Sequence, residues 1–350
     1  ADCREVIECL ERILEGAPAV SKTLETDDNV SGQGIVEIVE MDSSSPGEIF
    51  ESVDSEEESP DETSASVVGF LGPPDKMPYL GQDVERRRLV SRLKACSEGI
   101  SSLVFVQGAP GMGRSRFGRE IATLAEAKDY VISIVSCGDL DSNTTHRALG
   151  LALLQIIDSL GEHLRSTLKE GALDWAIDLL PVVPELESRL LLEDARSTTW
   201  PSYGNLLQGF RTLSRLLSAM PGHIAIYLDD FENAKEEEWE IVMDLVSEES
   251  IQLLLLVSVP DTFDIERSDS SRAAKVLGEA GRLDRIELKR LARSAIQPDI
   301  AALLETSLAH IDDSLIQEIE FLANGNPRNV GLLIECGRIE GFVYREGEGW

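Results

Sequence analysis

The sequence predicts an α/β protein in which helices cover a parallel sheet and a smaller group of helices follows. Two patterns predict this fold class. Between residues 77 and 290, strand-sized apolar runs alternate with helix-like segments, which is typical of a parallel sheet. Past residue 290 the apolar spacing is helical only. With 350 residues and 42% hydrophobic residues, the chain is long and apolar enough to bury such a core.

The amino-terminal part differs from the rest of the chain in composition and in the spacing of its apolar residues. Residues 2–14 have apolar residues at helical spacing, and we interpret residues 1–16 as the terminal helix of a preceding domain. We interpret residues 17–75 as a disordered linker. From residue 23 to 75 there is no Lys or Arg, and Ser, Asp and Glu are frequent. Such a composition cannot bury enough apolar surface to offset the entropy of ordering the chain.

The remaining segments form the predicted core at 76–290 and a small helical lid at 291–340. The predicted strands lie at 103–107, 130–137, 224–228, 251–259 and 285–288. The predicted core helices lie at 84–96, 115–127, 145–160, 203–220 and 235–246. A helical insertion, broken by Pro181, Pro184 and Pro201, is expected at 161–202, and lid helices are expected near 313–323 and 328–340.

The net charge of −32, from 64 acidic and 32 basic residues, restricts the expected partners. Nucleic acid is unlikely as a partner, because such a charge repels a phosphate backbone that usually binds a basic patch. A small nucleotide remains compatible, since a loop of backbone amides binds it locally. The five cysteines are scattered and odd in number, which indicates reduced thiols in a cytoplasmic protein. No apolar run approaches the ~20 residues of a membrane helix.

A glycine-rich loop, GAPGMGRS at residues 108–115, follows the first predicted strand and opens the next helix. A phosphate-binding P-loop requires this context. Gly108, Gly111 and Gly113 allow backbone angles that turn amides inward and let phosphate oxygens come close. The helix start adds amide donors and a positive dipole end. The alternative is a chance glycine-rich turn, which the strand–loop–helix context disfavours.

Two side chains at the end of this loop are candidate contacts to the ligand. Ser115 is placed to coordinate Mg²⁺. Arg114 occupies the position where Lys is usual, so the positive charge is kept while a planar fork replaces a compact ammonium. We therefore expect the loop to bind ATP with Mg²⁺, and we expect hydrolysis to be slow.

Carboxylates follow the third predicted strand. Asp229 and Asp230 end it, about 115 residues after the P-loop. Strand ends of a parallel sheet face the ligand crevice, so Asp229 is the natural Mg²⁺ partner. Asp230 could orient or deprotonate the attacking water, and Glu232 is its competitor for that role. Acidic residues also end strands as turn formers, but the position in the alternation favours the functional interpretation.

Two further features allow a structural and a functional interpretation. Ser258, near the end of the fourth predicted strand, could contact a γ-phosphate or could serve the structure. The Gly-Asn-Pro-Arg sequence at 325–328 contains a helix stop and a helix start, which suffices to explain it. In the functional interpretation, Pro327 touches the base and Arg328 reaches the γ-phosphate from the lid.

From Tyr79 onward, about three quarters of the chain, the sequence resembles the AAA-type ATPase module of multidomain signalling proteins of the STAND class. Four motifs carry the resemblance and occur in the family's order. They are YLGQDVE at 79–85, the P-loop at 108–115, LDDF at 228–231 and GNP at 325–327. Residues 341–350 resemble the start of the winged-helix subdomain that usually follows. The resemblance implies a three-layer P-loop NTPase sandwich with a parallel sheet, then a helical lid and the start of a winged helix.

The resemblance also implies a function. Modules of this class are nucleotide-dependent switches within larger regulatory proteins, with protein partners or flanking domains of the same chain, and they can form ATP-dependent oligomers. The helix at 2–14 resembles the last helix of a protein-kinase domain, which suggests a Ser/Thr kinase fusion. The chain contains no kinase catalytic motif, so we predict no kinase activity for it.

Several positions depart from the family pattern and leave alternatives open. Arg114 replaces Lys, Pro260 stands where relatives carry a polar or basic sensor, and Asn233 lies near the place of a usual tryptophan. These departures count against efficient hydrolysis more than against nucleotide binding. They leave open a degenerate scaffold that binds nucleotide without turnover, or that binds only partner proteins. A DNA-handling AAA ATPase is a third alternative, which the negative charge disfavours.

Overall fold

Five parallel strands form the central sheet of the computed structural model. They are β1 (Ser102–Gln107), β2 (Tyr130–Ser136), β3 (His223–Asp229), β4 (Leu253–Val259) and β5 (Leu283–Glu287). Their order across the sheet is β2-β3-β4-β1-β5, and every neighbouring pair is parallel. The predicted α/β fold with a parallel sheet is therefore confirmed. All strand ends that carry candidate site residues lie along one edge of the sheet.

The structure describes residues 81–138, 146–169, 172–192, 200–264, 271–345 and 350. All of them belong to the compact unit Val68–Trp350. The helix predicted at 1–16, the linker predicted at 17–75 and the first two residues of the opening motif, Tyr79 and Leu80, lie outside the described residues. Within the described ranges, no helix is both long enough and apolar enough to cross a membrane.

Helices flank the sheet, fill the insertion and form the lid. The core helices are α1 (Asp83–Ser97), α2 (Arg114–Glu126), α3 (Arg147–Ser159), α4 (Glu162–Lys169), α5 (Leu173–Ala176), α6 (Glu185–Leu190), α7 (Tyr203–Ser218), α8 (Glu236–Ser247) and α9 (Ser271–Glu279). The lid helices are α10 (Arg293–Leu303), α11 (Asp313–Ala323) and α12 (Pro327–Ile339). Short 3₁₀ turns lie at Phe231–Asn233 and Leu308–His310.

The sheet is buried on both faces, which explains its continuous apolar runs. Every residue of β4 is buried, as expected for a central strand covered by helices on both sides. Side chains alternate between the two faces. Phe105 of β1 packs in the cluster with α3, α7 and α8, whereas its neighbours Val104 and Val106 pack in the cluster with α1 and α2. The result is a three-layer sandwich.

The insertion between β2 and β3 is helical, as predicted. Pro184 precedes α6 at its N-cap, so this proline starts a helix there. The segment packs closely on the core, since a Cβ on Gly150 of α3 would lie 2.2 Å from Val183 Cγ2. Trp175 is buried in the same cluster. The insertion therefore belongs to the core of the domain.

The lid has an apolar cluster of its own, in which Ile300, Ile319 and Val330 are buried. The carboxyl-terminal residues pack on this cluster. Trp350 donates a backbone hydrogen bond to His310, and its ring lies 5.0 Å from the guanidinium carbon of Arg338. The winged-helix interpretation of residues 341–350 stays a prediction.

A buried carboxyl group faces the core from the lid. Asp299 of α10 is only 2% exposed, and among the described residues its Oδ1 has no hydrogen-bond partner. Burial raises the pKa of Asp299 to about 6, although attraction to Arg116 of α2 opposes the rise. Above that pH the folded chain contains a desolvated carboxylate that the unfolded chain exposes to water.

We predict that Asp299→Asn stabilises the chain on the order of 2 kcal/mol at pH 8, because a neutral amide replaces the buried charge. Because folding raises the pKa of this carboxyl group, the free energy of unfolding decreases as pH rises from the unfolded-state pKa to the folded-state pKa. The advantage of the variant should therefore shrink as pH falls through about 6 toward 4. Urea unfolding at pH 5 and pH 8 measures it, with exposed Asp261→Asn as the control. A destabilised variant at pH 8 would contradict the prediction.

Candidate nucleotide-binding site

The P-loop lies between the end of β1 and the start of α2, as the sequence predicts. Gly111 and Gly113 have φ angles of +82° and +89°, in the left-handed region that favours glycine. Gly108 lies against the residue after β5, because an added Cβ would be 3.2 Å from Leu288 Cβ. Helix α2 begins at Arg114, one residue earlier than predicted, with Gly113 as its N-cap. The loop is thus a glycine-lined cradle at the start of α2.

The first turn of α2 is anchored on β3 through Tyr227. The Tyr227 hydroxyl donates a hydrogen bond of 2.8 Å to the carbonyl of Arg114. Its ring lies under α2 at Gly118, where a Cβ would be 2.5 Å from Tyr227 Cε1. Burial raises the pKa of Tyr227 well above its ordinary value, so the hydroxyl remains a donor. The end of the P-loop is therefore attached to the strand that carries the aspartate pair.

The side chain of Arg114 brings three predicted site residues together. Its Nη2 lies 3.1 Å from Asp230 Oδ1 and 3.2 Å from Glu232 Oε1, and the side chain is 14% exposed. Glu232 lies in the 3₁₀ turn after β3, and its Oε2 is buried without a hydrogen-bond partner among the described residues. The planar fork of arginine makes this double contact possible, since one guanidinium presents several donors in a plane. Both candidate bases thus bind the arginine.

Asp229 is the last residue of β3 and is 6% exposed. Its carboxylate accepts a hydrogen bond from the Ser258 hydroxyl. The backbone amide of Asp230 donates to Ser258 Oγ at 2.8 Å and to Asp229 Oδ1 at 3.2 Å. Ser258 is fully buried, so the structural interpretation of this serine fits better than a contact with a γ-phosphate.

The predicted Mg²⁺ ligands are Ser115 and Asp229. Ser115 is exposed in the first turn of α2, and Asp229 ends a strand on the same edge of the sheet. Within the described ranges, no group of three or more His, Cys, Asp and Glu residues could hold a metal by itself. A P-loop metal site does not need one, because phosphate oxygens and water supply the other ligands. The glycine cradle and this donor pair fit a nucleotide with Mg²⁺.

The lid contacts the P-loop directly through the start of α12. The Asn326 Nδ2 donates to the carbonyl of Pro110 at 3.0 Å, and the backbone amide of Arg328 donates to the carbonyl of Gly111 at 3.3 Å. A Cβ on Gly111 would lie 2.7 Å from Asn326 Oδ1. Pro327 is in the first turn of α12, so the helix-start interpretation is confirmed. The guanidinium of Arg328 is exposed, and the proposed contacts of Pro327 and Arg328 with nucleotide stay predictions.

The described part of the opening motif packs on the connection between β5 and the lid. Gly81 has a φ angle of +82°, and an added Cβ would lie 2.9 Å from both Leu291 Cδ2 and Ala295 Cβ. The buried side chain of Gln82 donates through Nε2 to the carbonyl of Lys289 at 3.0 Å. This motif therefore contributes to the junction of core and lid.

Cys137, directly after β2, is a buried thiol. Its pKa is raised chiefly by burial and further by the negative charges of Glu238 and Asp229. A protonated thiol is a poor nucleophile, so Cys137 is an ordinary buried residue.

The profile of the AAA ATPase domain family matches residues 78–257, which contain the P-loop and the aspartate pair. This chain belongs to the AAA ATPase domain family. None of the curated protein sequences compared with it matches. As a member of this family, the chain is expected to bind a nucleotide, and the cradle between β1 and α2 lies inside the matched range.

Solved structures match this AAA domain at low sequence identity and with TM-scores below 0.5. A RuvB variant of Thermotoga maritima is 14% identical with a TM-score of 0.40, over 75% of this chain and 62% of that chain. A Walker-type ATPase of Pyrococcus abyssi is 12% identical with a TM-score of 0.46, over 76% and 69%. Cdc6p of Pyrobaculum aerophilum is 13% identical with a TM-score of 0.46, over 79% and 65%. The chain thus spans less than two thirds of the RuvB and Cdc6p chains.

Two residues of this AAA site are not evident from the sequence. Tyr227 is the one polar side chain in the apolar run Ile224–Leu228, and that contrast is the signal that could have identified it. Asn326 lies inside the recognised lid motif but had no assigned role. The two polar atoms of its side-chain amide have different partners. Oδ1 accepts from the Arg328 backbone amide, and Nδ2 donates to the Pro110 carbonyl.

We predict that Asn326→Asp separates these two roles. Aspartate is as good an N-cap as asparagine, so α12 should stay intact, but the Nδ2 donor to the Pro110 carbonyl is lost. Amide hydrogen exchange should accelerate in the P-loop, with a loss of about 1 kcal/mol in local stability. Asn326→Ala, which removes both roles, should also accelerate exchange in α12. Unchanged P-loop exchange in the Asp variant would contradict the prediction.

Proposed function

We propose that this AAA domain is an ATP-binding signalling module of the STAND class, a nucleotide-dependent conformational switch with slow hydrolysis. The observation that carries the proposal is that the lid and the carboxylates after β3 both contact the seven residues Gly108–Arg114. The P-loop from Gly108 to Gly113 bonds the lid at Pro110 and Gly111, and the next residue, Arg114, bonds the carboxylates after β3. A phosphate bound in this loop would lie next to the lid and these carboxylates.

The binding step uses groups already near one another. The amides of Gly108, Gly111 and Gly113 would hold phosphate oxygens, aided by the positive end of α2. Ser115 and Asp229 would coordinate Mg²⁺, which neutralises phosphate charge when bound. The left-handed backbone conformations of Gly111 and Gly113 support this assignment.

Arg114 gives a physical reason for slow hydrolysis. Its guanidinium bonds both residues that could orient or deprotonate water, Asp230 and Glu232. Phosphate oxygens compete for the same donors, because arginine binds phosphate and carboxylate in similar planar geometry. Moving the guanidinium to phosphate would leave these carboxylates free to accept hydrogen bonds from water. We propose that this exchange precedes each hydrolysis step and limits its rate.

The lid contact is the proposed switch. Nucleotide can shift the lid only if it binds the two lid positions with different affinity. The hydrogen bonds from Asn326 and Arg328 to the loop carbonyls make the lid sensitive to loop geometry. Pro327 and Arg328 are the proposed lid residues that contact base and γ-phosphate in the closed form.

The wider setting is proposed from the resemblance. We place the module in the cytoplasm, in a larger regulatory protein that can include a Ser/Thr kinase, with protein partners and an ATP-dependent oligomer. A scaffold that binds nucleotide without turnover is the second candidate, because Arg114 and Pro260 depart from the family pattern. The net charge of −32 disfavours a DNA-handling role.

We predict that the chain binds ATP in a Mg²⁺-dependent manner. Asp229→Ala should weaken binding of Mg·ATP by at least about tenfold, as expected for loss of a charged ligand group, and should leave binding in EDTA nearly unchanged. Isothermal titration with folded protein measures both affinities. Asp264→Ala, an exposed acidic residue after β4, is the matched control. No binding at millimolar Mg·ATP by folded wild-type protein would refute the proposed function.

We predict that Arg114→Lys increases ATP turnover several-fold. Lysine keeps the charge for phosphate but cannot hold Asp230 and Glu232 with one planar fork. Phosphate release during steady-state turnover measures the effect. The increase should vanish when Asp230→Ala and Glu232→Ala are both added. Equal turnover in the Lys variant and the wild type would exclude exchange of Arg114 as the limiting step, and no turnover in either would favour the scaffold.

A further inference from the structure

Two buried hydroxyl groups lie on neighbouring strands next to the candidate site. Tyr227 of β3 and Ser258 of β4 are fully buried on neighbouring strands. The register pairs Tyr227 with Leu256 and Leu228 with Val257, so Ser258 is level with Asp229 at the end of β3. An unbonded buried hydroxyl costs about 1–3 kcal/mol, and the partners of Tyr227 and Ser258 offset that cost.

Ser258 of β4 holds Asp229 and Asp230 through two hydrogen bonds. Its hydroxyl donates to the carboxylate of Asp229, and its oxygen accepts the backbone amide of Asp230 at 2.8 Å. Asp230 has a φ angle of +51°, a left-handed conformation that is strained for most side chains. One serine side chain therefore fixes the Asp229 carboxylate and supports the turn that aims Asp230 toward Arg114.

Tyr227 connects this pair to the P-loop. Its hydroxyl donates to the Arg114 carbonyl at 2.8 Å, and the Ser258 side chain lies close to it. Gly118 provides the space for its ring. Neighbouring buried polar groups thus form a polar chain from the Arg114 backbone through Tyr227 and Ser258 to the Asp229 carboxylate.

We infer that Ser258 and Tyr227 are positioning residues that hold the metal-binding carboxylate of Asp229 in register with the P-loop. Neither side chain would touch the nucleotide. Ser258 acts through Asp229, and Tyr227 acts through the backbone of Arg114. The inference rests on the proposed function, because it assigns Asp229 to Mg²⁺ and the loop to phosphate.

Substitutions of Ser258 and Tyr227 should affect ATP binding differently. Measuring ATP affinity with Mg²⁺ and again with EDTA distinguishes the two effects. Ser258→Ala frees the Asp229 carboxylate, so the Mg²⁺-dependent gain in ATP affinity should fall about tenfold, the scale expected for a hydrogen bond to a charged group. Binding in EDTA should stay unchanged. Tyr227→Phe keeps the ring but removes the donor to Arg114, so ATP affinity should fall by a similar factor with and without Mg²⁺.

Controls separate positioning from loss of stability. Ser258→Thr keeps the hydroxyl and should restore the Mg²⁺-dependent gain. Ser214→Ala removes a buried hydroxyl from α7, in the core cluster on the other face of the sheet from Tyr227 and α2, and should leave both affinities unchanged. Near-UV circular dichroism verifies that each variant is folded. The double variant of Ser258→Ala and Tyr227→Phe should show a smaller loss than the product of the single losses, because the two residues share one polar chain.

The outcomes also distinguish failure of the inference from failure of the proposed function. No ATP binding by the folded wild type refutes the proposed function. If the wild type shows a Mg²⁺-dependent gain and folded Ser258→Ala keeps it, the inference is overturned alone. An equal loss with Mg²⁺ and with EDTA in Ser258→Ala assigns a purely structural role and overturns it too. If the loss of ATP affinity in the double variant equals the product of the two single losses, Tyr227 and Ser258 act independently and the polar chain is refuted.

Discussion

Arg114 is the residue on which the geometry of the site depends, because it is held at both its ends. The backbone carbonyl accepts from Tyr227 under the loop, and the guanidinium bonds Asp230 and Glu232 beside it. A lysine would not form both carboxylate contacts in one plane. These partly exposed ion pairs are expected to contribute about 0.2–1 kcal/mol each. A triphosphate carries more charge than either carboxylate and meets the loop amides as well, so it can displace them. The contact is strong enough to arrange the site and weak enough to be exchanged.

The lid imposes a second constraint on the same short loop. Asn326 caps α12 with one amide atom and bonds Pro110 with the other, while Gly111 has no room for a side chain against them. The start of the lid helix and the loop conformation are therefore coupled through a single residue. Because Arg114 lies three residues beyond the lid contact at Gly111, a change at the lid reaches the carboxylates through very little backbone. This short connection is what makes a switch physically reasonable here.

The fold and the main site residues could be predicted from the sequence, because local rules determine them. Apolar runs mark the strands, and the glycines of the P-loop mark backbone angles that other residues avoid. The ends of parallel strands then had to meet at one edge, which brought Asp229 near the loop. The order of the strands, the fork of Arg114 between Asp230 and Glu232 and the role of Tyr227 could not be predicted. Each depends on contacts between residues far apart in the chain, for which spacing in sequence carries no signal.

The buried hydroxyls limit the routes by which a nucleotide signal could leave the site. Tyr227 fixes the end of the loop from the sheet, Ser258 fixes the neighbouring Asp229, and Asn326 fixes the loop from the lid. The route toward the sheet ends in two central strands, β3 and β4, whose buried faces are closely packed and resist displacement. The route toward the lid ends in a group of helices with its own small apolar cluster and direct hydrogen bonds to the loop. Because the sheet under the loop resists displacement, phosphate binding must change mainly the position of the lid. For this reason the polar chain is expected to position the metal site, and the lid is expected to carry the signal.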